Sequence, residues 1–261
     1  MQRWLVPIVL SAVALGLYDI FRKRAVQNNA VLEVLLFSTA AGAAMFLVLM
    51  GLFGDLSTVI HCTRSQYILL VGKSLLVGSS WVCVYQAMRK MPITIAAPIR
   101  ATSPLWTVFG GMMLYNEIPS GVRALGMLLI FTGYYLFSVI GKLEGFSLRH
   151  RDMHLIIAGT LLGSASALYD KYLLNVLAIP PQTVQFYFAL NLVILFSLTW
   201  LIVRTTRRNR DRFEWRWSIP VTGVLLILSD FLYFYALSLP DVHISVLSLF
   251  RRCSCVITFI V

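Results

Sequence analysis

Long apolar segments, separated by short polar stretches, make up most of the chain. A helix that crosses the hydrocarbon core of a bilayer needs about 20 mostly apolar residues. The pattern predicts nine such spans, at 4–24, 31–53, 66–88, 93–115, 121–140, 154–175, 183–203, 217–238 and 242–261. No segment alternates over the length of a strand, which disfavours a β-barrel. Because a backbone in lipid must satisfy its own hydrogen bonds, the chain is predicted to fold as a helical bundle.

The composition supports the same fold class. Of the 261 residues, 59% are hydrophobic and only 13% are charged, and the mean hydropathy is +0.80. A soluble domain has about 45–50% apolar and about 25% charged residues. Disorder, collagen and a disulfide scaffold are also excluded, since the chain has 16 Gly, 9 Pro and 4 Cys. We therefore predict an all-α polytopic membrane protein.

The net charge of +11 would suggest nucleic acid as a partner if the protein were soluble. However, most basic residues follow the odd-numbered spans, where the positive-inside rule places the cytoplasm. This set is Arg22, Lys23, Arg24, Arg89, Lys90, Lys142, Arg149, Arg151 and the six arginines between 204 and 216. The opposite side is assigned Arg3, Arg64, Lys73, Arg123 and Lys171. The charge thus indicates topology and contact with lipid headgroups, and no nucleic acid is expected as a partner.

The chain also resembles itself at an offset of about 150 residues. Leu17-Tyr18-Asp19 recurs as Leu168-Tyr169-Asp170, and the segment from Tyr85 to Ile95 aligns with that from Phe234 to Ile244. The first repeat holds five spans, an odd number, so the second repeat enters the membrane in the opposite sense. Inverted repeats are the architecture of many secondary transporters, which hold their substrate near the midplane between the halves.

We place the first repeat at residues 1–145 and the second at 146–261. In this alignment Val261 falls opposite Met112, in the middle of a helix of the first repeat. The first repeat continues from that point through a further span, and the second has no counterpart to it. We therefore expect the natural chain to continue into a tenth helix.

These features resemble the EamA-like branch of the drug/metabolite transporter (DMT) superfamily. The resemblance rests on the tight turn from Ala87 to Pro92, the proline-containing fourth helix from Ala96 to Leu105, the closing Asn116-Glu117 and the five-plus-five layout. It implies ten helices and alternating-access movement of small metabolites, often export of amino acids or toxic compounds. Members of the family usually have a cytoplasmic N-terminus, whereas the charge bias places it outside, so the orientation stays open.

Ionisable groups inside lipid are costly, and they usually line a cavity or pair with one another. The candidates within the spans are Asp19, Arg100, Asp170, Asp230 and Arg251. Facing a cavity, an arginine could take a substrate carboxylate or phosphate through two hydrogen bonds, and a carboxylate could carry a proton. The alternative is that these groups neutralise one another and fix helix packing. Both interpretations stay open.

Aromatic residues accompany these charges, and the candidates are Tyr18, Trp81, Tyr85 and Tyr169. They could line the pathway and stack on an organic substrate or cation, or serve ordinary packing and interfacial belts. Pro98 and Pro104 are expected to bend the fourth span. Such a bend would act as a gate hinge or simply shape the bundle.

The leading hypothesis is a secondary transporter that moves amino-acid-like or drug-like solutes, with export expected, across the plasma membrane, in bacteria the inner membrane. No Walker loop is present to support direct ATP coupling, and no cofactor or metal is expected. An intramembrane enzyme would need a nucleophile–base pair or a His-Glu-x-x-His cluster within the spans, and none occurs. A non-transporting membrane scaffold is the other alternative. The oligomeric state stays open between monomer and homodimer.

Overall fold

The computed structural model describes residues 3–54, 59–92, 95–96, 99–100, 102–118, 121, 124–126, 128–129, 132–133, 151–206, 212–240 and 242–254. These residues are helical almost throughout, and none of them lies in a strand. The helices are α1 (Leu5–Val26), α2 (Val31–Phe53), α3 (Arg64–Lys90), α4 (Ser103–Tyr115), α5 (Arg151–Lys171), α6 (Pro181–Thr206), α7 (Ser218–Ser238) and α8 (Ile244–Arg252). A π-helical segment, Tyr172–Val176, continues α5.

Five of these helices are long and apolar enough to cross a membrane: α1, α2 over Val31–Leu52, α3, α6 and α7. The predicted all-α polytopic fold is thus confirmed. Large apolar side chains are exposed on the outside of the bundle, where lipid would solvate them; examples are Val9, Leu47, Ile68 and Ile202. Most of the predicted span 121–140 and the division of the repeats at residue 145 lie outside the described residues.

The helix ends follow local sequence signals. Thr63 and Gln66 form a capping box that begins α3. Asn116 takes a left-handed conformation, with φ of 52°, and ends α4. The π-helical segment ends at Val176, and Ala178, two residues later, is also left-handed, with φ of 50°. Short π-helical segments are frequent at functional sites, and this one directly follows Asp170 and Lys171.

The helix–helix contacts follow the proposed repeat: either two contacts correspond to each other, or the two helices in contact are repeat counterparts. In the described residues, the most extensive packing is of α1 on α7, and the next is of α5 on α3. In the repeat alignment α1 corresponds to α5, and α7 corresponds to α3. Helix α2 packs on its counterpart α6, and α4 packs on its counterpart α8. The interior is therefore built from helices of both halves of the chain.

Glycines allow some of these helices to approach closely. A Cβ atom on Gly42 of α2 would lie 2.7 Å from the carbonyl oxygen of Gly223 in α7, and one on Gly223 would overlap the carbonyl of Ser38. A Cβ atom on Gly159 of α5 would lie 3.0 Å from the carbonyl oxygen of Ser80 in α3. Small residues at such crossings let the helix backbones approach closely. The resulting van der Waals packing stabilises helix association in lipid, where there is no hydrophobic driving force between helices.

Candidate functional site

A cavity of about 120 Å³ lies at the centre of the bundle, between helices of both halves. Its wall is polar for a membrane interior, with hydroxyl groups from Ser80, Ser103, Thr160 and Ser248. Among the described residues, six charged side chains line it: Arg22, Lys73, Arg100, Asp170, Asp230 and Arg251. Charges in such a place are expensive unless they are paired or serve a polar pathway, so their partners decide what the cavity does.

The first cluster of charges is built around Asp19 of α1. Its Oδ1 accepts a hydrogen bond of 2.8 Å from Nη1 of Arg100 and lies 2.7 Å from Nη2 of Arg22. The guanidinium carbon of Arg22 lies 4.8 Å from the ring centre of Tyr18 and 5.4 Å from that of Tyr85. The two tyrosine hydroxyls are 3.2 Å apart and hydrogen-bonded. One carboxylate thus serves two guanidinium groups.

The second cluster begins with Lys73 of α3, which is 1% exposed. Its ammonium group is hydrogen-bonded to Asp170 of α5, so this ion pair joins the first half of the chain to the second. The same Nζ lies 4.7 Å from the ring centre of Phe188 and 4.0 Å from that of Phe234. Cation–π contacts of this kind add to the ion pair because the site is desolvated.

Asp230 of α7 and Arg251 of α8 complete the second cluster. Nη2 of Arg251 donates to Oδ1 of Asp230. The guanidinium carbon of Arg251 lies 4.2 Å from the ring centre of Tyr233. Each pair of the second cluster therefore has one cation and one carboxylate, and each is also packed against aromatic rings.

The structure brings together most of the residues predicted from the sequence. Tyr18, Trp81, Arg100, Asp170, Asp230 and Arg251 line the cavity. Asp19 and Tyr85 lie behind the lining, hydrogen-bonded to Arg100 and Tyr18 respectively. Tyr169 is different, because its hydroxyl donates to the carbonyl of Leu69 and its ring stacks on Tyr172, 6.1 Å between centres. It packs against neighbouring helices and does not line the cavity.

The two proposed hinge prolines have different outcomes. Pro98 lies outside the described residues. Pro104 lies in the first turn of α4, where a proline costs no helical hydrogen bond because the first N–H groups of a helix have no partner within it. Pro104 therefore begins a helical segment and does not bend the interior of one. Its role in gating stays a prediction.

Two residues of the site were assigned wrongly from the sequence. The charge pattern predicts Arg22 in a cytoplasmic loop, but the residue lies inside α1 and is 1% exposed. The same pattern predicts Lys73 on the opposite membrane side, but Lys73 lines the central cavity. Both fall within predicted spans, 4–24 and 66–88, so the rule that flagged Asp19 and Arg100 would also have flagged them.

A further polar contact lies where α4 ends. The Glu117 carboxylate accepts hydrogen bonds from the backbone N–H groups of Ile244 (3.0 Å) and Ser245 (3.3 Å) and from the Ser245 hydroxyl (2.9 Å). It also pairs with Lys171 at the end of α5. Glu117 thus caps the N-terminus of α8 and connects three helix ends.

The protonation of Glu117 follows from these contacts. Burial by itself would raise the pKa of this carboxyl, but the hydrogen bonds from Lys171, Ile244 and Ser245 outweigh burial and lower the pKa below its usual value. Glu117 is therefore ionised at neutral pH, and the negative charge faces the positive end of the α8 dipole.

Among the described residues, no three His, Cys, Asp or Glu side chains are grouped so as to hold a metal ion. The sequence pattern of the EamA-like transporter family matches residues 2–139. No curated protein matches the chain significantly in sequence. The fold is similar to that of a solved structure with the description "Crystal structure of protein". The superposition covers 100% of this chain and 88% of the other chain, with a TM-score of 0.70 and 12% sequence identity. Such a likeness establishes a shared fold alone.

Proposed function

The chain belongs to the EamA-like transporter family, within the DMT superfamily, and from this premise we propose that it is a secondary transporter of small metabolites. The solutes are amino-acid-like or drug-like, and the direction is export across the plasma membrane. The substrate enters the central cavity between the two halves and is released on the other side by alternating access.

One observation carries this proposal. The interior of the bundle holds a cavity to whose wall the described part of the chain contributes six charged side chains, although burying charge in a membrane protein is costly. A protein that served only as a membrane scaffold would gain nothing from such a wall, because apolar packing would be at least as stable. A pathway for a polar solute does need it.

The arrangement of the ion pairs supports movement between two states. Lys73 and Asp170 belong to different halves of the chain, whereas Asp230 and Arg251 both belong to the second half. Rocking of one half against the other would therefore strain the first pair and leave the second intact. A substrate or proton that replaces one partner of the Lys73–Asp170 pair would lower the cost of that movement.

The test is uptake by proteoliposomes that contain the purified protein. Labelled amino acids, sugars and drugs are supplied one at a time, and empty liposomes set the background. At least one solute should enter faster than background, and Asp170→Asn should abolish that uptake. The control is Arg212→Gln, which removes an exposed arginine that does not line the cavity and should leave uptake unchanged.

Two results would contradict the proposal. One is that no solute of the panel crosses faster than in empty liposomes, with the protein shown to be folded. The other is that uptake survives unchanged in both Asp170→Asn and Asp230→Asn, since the cavity would then play no part in it. Orientation of the protein in the vesicles, measured by protease access, assigns the direction of transport.

A further inference from the structure

The charges around the cavity do not balance. The cations are Arg22, Lys73, Arg100 and Arg251, and the carboxylates are Asp19, Asp170 and Asp230. Among the described residues of this site there are thus four positive groups and three negative ones. An uncompensated positive charge in a bundle interior is unfavourable, so a bound anion would stabilise this arrangement.

The imbalance can be located. Lys73 has Asp170, and Arg251 has Asp230, so the second cluster is neutral. In the first cluster, Asp19 is the one carboxylate among the described residues that pairs with Arg22 and Arg100. The surplus positive charge therefore belongs to the first cluster, in the part of the cavity that Arg100 and Arg22 line.

Of the two arginines, Arg100 is the more accessible to a ligand. The side chain of Arg22 is 2% exposed and lies against the rings of Tyr18 and Tyr85, whereas that of Arg100 is 14% exposed. In the described part of the chain Arg100 donates through Nη1 to Asp19 and through no other nitrogen. The remaining edge of its planar guanidinium group fits a carboxylate through two parallel hydrogen bonds.

Two buried arginine nitrogens beside the cavity also support a bound anion. Nε of Arg22, in a side chain that is almost wholly buried, has no hydrogen-bond partner among the described residues. The Nε atom of Arg251, a residue of the second cluster that also lines the cavity, likewise has none. A buried donor without a partner costs about 1–3 kcal/mol, and an acceptor that enters the cavity would recover part of that cost.

From this geometry we propose that the cavity takes the carboxylate group of a small organic anion, with Arg100 as its principal ligand. This inference rests on the proposed function and specifies its substrate class. The volume of about 120 Å³ is small compared with the roughly 300–1,000 Å³ of pockets for drug-sized ligands. Trp81 supplies a flat apolar wall for the carbon skeleton.

The experiment measures binding of matched probes to the purified protein in a neutral detergent free of anionic lipid. Propionate, propionamide, propylamine and chloride are titrated separately, and the shift in thermal unfolding midpoint gives each dissociation constant. Propionate should bind, and propionamide and propylamine should bind at least ten-fold more weakly. Propionamide binding as tightly as propionate would overturn the proposal. Equal binding of chloride would overturn the choice of an organic anion.

The variants separate ligand binding from structural support. Arg100→Gln should weaken propionate binding on the order of 10- to 100-fold, the value of a bidentate charged contact. The variant should fold, because Asp19 keeps Arg22 and every remaining charge among the described residues of the site then has a partner. Arg212→Gln is the matched control at an exposed site and should bind propionate as the wild type does.

Asp19→Asn should change propionate affinity in the opposite direction to Arg100→Gln. It raises the surplus charge and releases Arg100, so the unliganded protein should melt lower while propionate binds at least as tightly as before. A merely structural cluster would lose stability and binding together, which would overturn the proposal. If Arg100→Gln cannot be purified, the propionate affinity of Asp19→Asn relative to the wild type still tests the proposal.

Two further measurements are needed. One distinguishes a lipid headgroup from a free solute as the source of the anion, and the other distinguishes failure of this inference from failure of the proposed function. Adding vesicles of anionic phospholipid should not displace propionate; displacement would mean that a lipid headgroup, and not a free solute, occupies the cavity. Transport of neutral or cationic solutes without propionate binding would refute the anion inference and leave transport standing. Propionate binding without transport of any carboxylate would refute the proposed function instead.

Discussion

The ion pair between Lys73 and Asp170 offers a quantitative test of how the interior is stabilised. The perturbations are Lys73→Met, Asp170→Asn and the double replacement Lys73→Met with Asp170→Leu. The lysine side chain is 1% exposed, and the carboxylate is nearly as buried. Removing one partner of a buried pair typically costs about 3–5 kcal/mol because the other charge is left without compensation.

The two single variants should differ in a definite order. After Asp170→Asn, the ammonium group of Lys73 still lies over the rings of Phe188 and Phe234, at 4.7 and 4.0 Å. Desolvated cation–π contacts are worth about 2 kcal/mol or more. After Lys73→Met, Asp170 has no second donor among the described residues. We therefore expect losses of about 3 kcal/mol for Asp170→Asn and about 4–5 kcal/mol for Lys73→Met.

The double variant should be within about 1–2 kcal/mol of the wild type, because replacing a buried pair by apolar groups of similar volume is often close to neutral. The free energy of unfolding would be measured in mixed micelles with a denaturing detergent, by the loss of helical circular dichroism. As a control, the exposed pair Arg212–Glu214, whose atoms are 3.7 Å apart, should show a coupling below about 1 kcal/mol.

Additive losses from the two single variants would refute this reasoning, since they would mean that the two charges do not compensate each other. So would a larger loss for Asp170→Asn than for Lys73→Met, because the aromatic contacts of the ammonium group would then count for nothing. A stable double variant that no longer transports would separate the role of the pair in transport from its role in folding.

Two other predictions follow from packing and capping. Gly223→Ala should lower the free energy of unfolding by about 1–3 kcal/mol, because the new methyl group would overlap the carbonyl of Ser38. Gly51→Ala should have no such cost in the same assay, because no atom of the described residues lies within 4 Å of the added methyl group. Glu117→Gln should cost about 2–4 kcal/mol at pH 7, measured in the same micelles, whereas the half-exposed Glu214→Gln should cost less than about 1 kcal/mol. Because the pKa of Glu117 is lowered by folding, its contribution is fully present above pH 4.5 and is lost as the pH falls below that value; Glu117→Gln should lose this acid sensitivity, and a variant as acid-labile as the wild type would contradict the assignment.

Much of the fold could be predicted because each membrane-spanning helix depends on a local pattern of apolar residues. The first span, predicted at 4–24, is α1 from Leu5 to Val26, and the eighth, predicted at 217–238, is α7 from Ser218 to Ser238. A run of about 20 apolar residues has one structure open to it in lipid, so its position and type follow from composition alone. The family resemblance to EamA-like transporters is likewise confirmed by the match over residues 2–139.

The site could be predicted only in part, and its failures have a common cause. Asp19 and Arg100 stand out within apolar runs and do meet in the structure. Arg22 looked like a boundary residue because Lys23 and Arg24 follow it, yet the helix continues to Val26 and keeps it inside the bundle. A cluster of basic residues at the end of a span has the same sequence signature whether its first member faces lipid headgroups or a cavity.

The sequence by itself determined that the chain is a helical membrane protein, where most helices lie and which rare charges lie within them, because each of these depends on a single helix and its solvent. Only the tertiary structure decided which charges meet. That Asp170 pairs with Lys73 from the other half, and that Asp19 is shared by two arginines, depends on the rotation and crossing of separate helices. Close contacts such as that of Gly42 with Gly223 set those crossings, and the spacing of residues along one helix does not record them.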